Sequence, residues 1–97
     1  MIPVDLLPGA RRDFDDSFDW YATRSDVAAE RFSNGIDATL AMIAADPRRF
    51  AAVDSIHREC LVPRFPFRII YRIETTRIVV VAVAHAKRRP GYWKDRR

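Results

Sequence analysis

The residues best suited to chemistry lie at the end of the chain. Val83-Ala84-His85-Ala86-Lys87-Arg88-Arg89-Pro90-Gly91-Tyr92-Trp93-Lys94-Asp95-Arg96-Arg97 runs an apolar segment into a histidine, three cations, a Pro-Gly turn and an aromatic pair. Arg and Lys hold phosphate through charge and hydrogen bonds, while Tyr and Trp offer flat faces for bases or for a partner's side chains. The pattern suggests a contact or reaction surface rather than a core element. Two further arginines, Arg68 and Arg72, alternate with apolar residues on one segment, and Arg58 stands on the segment before it. With Lys87, Arg88 and Arg89 they would make a multivalent cationic pocket for a phosphodiester. Ordinary cross-strand pairing of Arg68 and Arg72 with Glu59 and Glu74 is the competing reading.

Other chemistries find little support. The chain shows no paired carboxylates, no nucleophile–base arrangement, no glycine-rich phosphate loop and no metal-ligand spacing. No metal or cofactor is therefore expected, and a covalent or metal-dependent enzyme is disfavoured. His85 could act as an acid or base, but a histidine at a strand end more simply anchors the tail through a backbone group. The Tyr92-Trp93 pair fits best as docked aromatics, His57 as a surface residue, and Cys60 as a small core residue.

These residues need a frame to position them. Residues 2–7 alternate weakly and end at Pro8-Gly9, a short first strand. Ala10, Phe14, Phe18 and Tyr21 recur at helical spacing, with Arg11, Arg12, Asp13, Asp15, Asp16 and Asp19 assigned to the outer face. Ser25 or Asp26 caps a second helix bearing Ala28, Phe32, Ile36, Leu40 and Ile43, which ends at Asp46-Pro47. Gly35 inside it suggests a close approach of the two helices. The period then shifts toward two over 56–62, 67–73 and 78–84. Phe67, Ile69, Tyr71 and Ile73 should face the helices, and the last segment, apolar on both faces, should be central. The expectation is a single α+β domain over 1–97, ordered β-α-α-β-β-β. An antiparallel helical hairpin packs on one face of a mostly antiparallel sheet, leaving the other face as an open floor.

Charge is segregated along the chain. Residues 1–47 hold nine acidic and four basic side chains, and residues 48–97 hold thirteen basic and four acidic, within a net charge of +4. Such a field suits phosphate or an acidic partner. One cysteine, no signal-peptide pattern and no bilayer-length apolar run point to a cytoplasmic protein without membrane contact.

Several fragments resemble the RelE/ParE superfamily of type II toxin–antitoxin toxins, nearest its ParE-like, plasmid-stabilisation branch. They are Phe18-Asp19-Trp20-Tyr21, Ala29-Glu30-Arg31-Phe32, Asp46-Pro47-Arg48-Arg49, Arg64-Phe65-Pro66-Phe67-Arg68-Ile69-Ile70-Tyr71 and the tail from Val83 to Trp93. The resemblance implies the RelE/ParE-like fold and a growth-inhibiting toxin neutralised by a cognate antitoxin, ParD-like and of the ribbon-helix-helix type. It also implies one of two targets. ParE-like members block DNA gyrase as protein inhibitors; RelE-like members cut mRNA on the ribosome without metal. For the second activity the candidates are Arg58, Arg68, Arg88, Arg89 and Tyr92. RelE-type cleavage leans on lysines before the strand arginine, and this chain has none before Lys87. Arg58 is a poor substitute because an arginine stays protonated. Gyrase inhibition is thus the favoured expectation, with Arg68, Arg72, Lys87, Arg88, Arg89, Tyr92 and Trp93 as the target-binding set. Phe14, Phe18, Phe32 and Ile36 are the expected antitoxin contacts. A non-toxic binding module is the third reading.

Overall fold

The computed structural model describes residues 2–97. Strand β1 (Val4–Leu6) leads into α1 (Pro8–Ala22) and α2 (Asp26–Ala45). Four strands follow: β2 (Ala51–Ala52), β3 (His57–Leu61), β4 (Phe67–Ile73) and β5 (Ile78–His85). They form one five-stranded sheet in the order β1-β5-β4-β3-β2. The β1–β5 pair is parallel and the other three are antiparallel, so the α+β architecture agrees with the sequence expectation. The two-residue β2 is an addition, too short to announce itself by alternation.

Local signals account for the boundaries. Pro8 stands in the first turn of α1, where its missing N–H costs nothing and its fixed φ suits the helix. The Ser25 hydroxyl accepts the Ala28 N–H at 3.2 Å and caps α2. The β3–β4 turn places Pro63 before Arg64, whose φ is 70°. The Phe65 N–H closes that turn on the Val62 carbonyl at 3.3 Å. Glycine usually occupies such a position, because a Cβ is crowded in the left-handed region. We therefore expect Arg64→Gly to raise stability by about 0.5–1 kcal/mol, net of glycine's larger unfolded-state entropy. A urea midpoint equal to or below that of the parent chain would refute this.

The helical hairpin covers one face of the sheet. Phe32, fully buried, is the hub of that layer: its ring centroid lies 5.5 Å from Phe14, 5.1 Å from Tyr21 and 5.1 Å from Phe67. Ile69, Tyr71, Ile78, Val80 and Val83 rise from the sheet into the same cluster. The Tyr71 hydroxyl donates to the Pro47 carbonyl, and burial pushes its pKa up to about 12. Gly35 does permit a close approach, but of Phe65 rather than α1: a Cβ there would sit 3.3 Å from the Phe65 ring.

The opposite face departs from the expected open floor. Ile70, Val81, Ala82 and Ala84 form a second cluster with Trp93, which is only 4% exposed. The tail therefore builds core after all. A register shift between Ile70 and Tyr71 makes this possible. Val80 and Val83 both face the helices, whereas Val81 and Ala82 both join the second cluster. A bulge of this kind moves the apolar phase of the strand by one residue.

Candidate target-binding site

The site is built on a tail held in place by one carboxylate. Asp13, placed on the outer face of α1 by periodicity, is in fact buried. Its Oδ2 accepts the Val83 N–H at 3.1 Å, the Tyr92 hydroxyl at 2.9 Å and an Arg96 N–H at 2.7 Å. Its Oδ1 takes the second Arg96 nitrogen at 3.1 Å, completing a two-pronged ion pair. Arg96 also donates to the Val81 carbonyl at 3.1 Å. The geometry has a topological cause. Strand β1 ends at Leu6, opposite Val80, so the outer edge of β5 beyond it has no neighbouring strand. Asp13 and Arg96 supply the missing donor and acceptor there. Gly9 leaves room for this pairing, since a Cβ at that position would lie 2.6 Å from Arg96 Nε.

The remainder of the tail is equally defined. The Tyr92 N–H reaches the Arg89 carbonyl at 3.2 Å across Pro90-Gly91, with Gly91 at φ 74°. Proline then glycine at the two central positions matches a type II turn. Arg88 stacks its guanidinium 3.9 Å above the Tyr92 ring. The Lys87 N–H donates to His85 Nδ1 at 2.9 Å, so His85 anchors the start of the tail. Burial and the neighbouring Asp13 charge both push the Tyr92 phenol well above its usual range.

This docking brings part of the expected cationic set together. Arg68, Arg88, Arg89 and Lys94 line a cleft of about 240 Å³ between the sheet and the tail, beside Tyr92 and Trp93. Arg68 is held by Glu59 at 2.9 Å, the cross-strand pairing weighed from sequence. None of Lys87, Arg88, Arg89 and Lys94 has a carboxylate within 4 Å among the described residues. The cleft thus offers free positive charge on a fixed backbone.

Other expected members lie elsewhere. Arg72 pairs with Glu74 at 2.9 Å, and Glu74 also holds Arg77 at 2.9 Å. Those two guanidinium groups lower the pKa of Glu74. Arg58 is opposite Tyr71 and therefore on the helix side of the sheet, where it donates to the Arg48 and Phe50 carbonyls at 3.2 and 2.7 Å. It cannot join Arg68, because the strand pleat sends the two to opposite faces. Trp93 is enclosed and presents no stacking face. Phe32 and Ile36 are fully buried and likewise offer nothing to a partner in this conformation, whereas Phe14 and Phe18 remain half-buried. His57 is buried against Trp93, with ring centroids 4.8 Å apart, rather than a surface residue. It contacts Asp54, whose carboxylate is lowered to about 2, chiefly by the backbone N–H groups of His57 and Ile56.

A second and larger concavity, about 630 Å³, lies on the helix side between α1 and the ends of β4 and β5. Trp20, 52% exposed, stands on it, and Lys87 and Arg88 form one rim. Sequence reading missed this groove because its walls come from three separate segments. Among the described residues, no group of His, Cys, Asp or Glu is arranged to hold a metal ion. No helix there is long and apolar enough to cross a membrane.

Comparison with known proteins adds an independent finding. Residues 4–90 match the family model described as ParE toxin of type II toxin–antitoxin system, parDE. A chain from the chromosomal ParDE TA system of P. aeruginosa superposes with a TM-score of 0.64, covering 88% of this chain and 96% of that one. The two are 14% identical, so that likeness shows a common fold. No curated protein matches the chain significantly.

Proposed function

The chain belongs to the ParE toxin family of type II toxin–antitoxin systems, and from that footing we propose that it inhibits DNA gyrase by direct contact and is neutralised by a ParD-like antitoxin. The proposed location is the cytoplasm, where gyrase acts. One observation carries the choice of target: three of the five candidate groups for an mRNA endoribonuclease, Arg58, Arg68 and Tyr92, are already engaged. Arg58 holds backbone carbonyls on the far side of the sheet, Arg68 is paired with Glu59, and the Tyr92 hydroxyl is bound to Asp13. A phenol whose pKa is raised and whose proton is directed at a buried carboxylate is poorly placed for proton transfer to RNA.

The proposed contact surface is Arg88, Arg89 and Lys94 on the tail cleft, with Arg68 also lining it, together with Lys87 on the neighbouring groove. Fixed, unpaired cations favour fast association with an acidic surface and resist exchange for a neutral one. The half-buried edges of Phe14 and Phe18 on α1 are the proposed antitoxin contacts. The test is a supercoiling assay with purified toxin and gyrase. Inhibition at micromolar toxin is expected, falling at least about tenfold when Lys87, Arg88 and Arg89 are all replaced by Glu, a change near 1.4 kcal/mol or more. Normal supercoiling at that concentration, or codon-dependent cuts in a translation reaction, would overturn the reading.

A further inference from the structure

We propose that an apolar strip at the free margin of the sheet, Ala51, Val53 and Leu61, grips gyrase by taking aliphatic side chains from an acidic segment of that enzyme. The inference rests on the gyrase reading and adds to its cationic surface the element that decides which kind of partner fits. Strand pairing puts the three residues on one face. Ala51 stands opposite Glu59, and Leu61 opposite Arg68. The Val53 N–H donates to the His57 carbonyl at 2.8 Å and carries the same pairing onward. Residues that face each other across an antiparallel pair share a side of the sheet. Glu59 and Arg68 line the tail cleft and His57 packs on Trp93, so the strip lies on the tail side. Strand β2 begins only at Ala51, which leaves Leu61 unflanked on its outer side. Leu61 is 67% exposed and Val53 40%, the former the highest value for a large apolar residue among those described.

The docked tail does not cover this carbon. Trp93 closes over Ile70, Val81, Ala82 and Ala84 and stops short of the strip. In a protein interface such carbon forms the dry centre and charge forms the rim. Both occur together here, because Val53 lines the same cleft as Arg88, Arg89 and Lys94, which have no carboxylate partner. Charge complementarity then specifies carboxylates around an aliphatic anchor. A nucleic acid fits this face less well. Its bases need open aromatic faces, but Arg88 covers Tyr92 at 3.9 Å, Arg96 lies 5.0 Å from the same ring centroid, and Trp93 is enclosed. Phosphate offers nothing to three aliphatic side chains. Phe14 and Phe18 pack on the opposite side of the sheet, so the strip is separate from the proposed antitoxin contacts.

The test uses the full chain and purified gyrase holoenzyme, read both by binding to immobilised gyrase and by supercoiling. Val53→Ser combined with Leu61→Ser keeps the net charge and touches no core residue. It should raise the toxin concentration for half-inhibition at least about tenfold and weaken binding to match. Leu61→Met keeps the apolar contact and should inhibit like the parent chain. Val27→Ser, at a position 55% exposed on α2, should change nothing. A parent-like urea midpoint for the double variant verifies its fold. Unchanged half-inhibition by the double variant, beside an inhibitory parent, overturns the strip and leaves the gyrase reading standing. If reversal of the cations abolishes inhibition in that case, the face reads charge alone, as DNA phosphate would supply it. An equal loss from Val27→Ser also overturns the proposal, by reducing it to general stickiness. A parent chain that neither binds nor inhibits gyrase sinks the gyrase reading and this assignment with it.

Discussion

Asp13→Ala should be among the most damaging single substitutions in the chain, lowering unfolding stability by about 3–5 kcal/mol. The carboxylate neutralises Arg96 and accepts from Val83 and Tyr92, so its removal strands a guanidinium, a phenol and a backbone N–H together. Leaving one partner of a buried pair uncompensated is the costly case; removing both partners is far milder. The order should therefore be Asp13→Ala above Arg96→Ala, with Tyr92→Phe near 1 kcal/mol. For a domain of this size the first corresponds to a drop in Tm of more than about 10 °C. Urea unfolding reads the magnitudes, and trypsin reads the mechanism, because a released tail frees the backbone at Lys87 and Arg88 for early cleavage. A parent-like urea midpoint for Asp13→Ala would show that the pairing contributes nothing. The same variant should weaken the toxin while retaining every cation, since it loosens the backbone that fixes them.

The sequence made much of this fold readable and left out the part that organises the site. Helix faces followed from Ala10, Phe14, Phe18 and Tyr21, and the inward set on β4 from Phe67, Ile69 and Tyr71, because both patterns are local periodicities. Family membership was readable too, through fragments spread along the chain. Asp13 was not. A carboxylate looks solvated by default, and its burial depends on partners 70 to 83 positions away. One signal did exist: Asp13 follows Ala10 by three residues and so borders the apolar stripe. The bulge at Ile70 and Tyr71 left no mark either, lying in a run without Gly or Pro. Missing it hid the second apolar cluster, and with it the reason for a tryptophan in a cationic tail. Arg68 and Arg72 pair with the Glu59 and Glu74 weighed from sequence because each carboxylate is a near neighbour on the strands or their turn.

Trp93→Ala tests whether that second cluster and the Asp13 pairing are one device. Trp93 fills the space over Ile70, Val81, Ala82 and Ala84, and truncating a buried tryptophan costs about 3–5 kcal/mol. Three residues later comes Arg96 with its guanidinium on Asp13, so the tail is fastened on one face of β5 and again at its outer edge. If the fastenings act independently, the double variant should lose the sum of the single losses. A short segment tied at two points behaves otherwise: once either is cut, the remaining one must order the tail unaided and has lost most of its value. We therefore expect Asp13→Ala combined with Trp93→Ala to fall short of additivity by at least about 1 kcal/mol, well outside the scatter for uncoupled sites. Additive losses would separate the two contacts. A shortfall would mean that the cationic cleft exists only while both ends of the tail are docked.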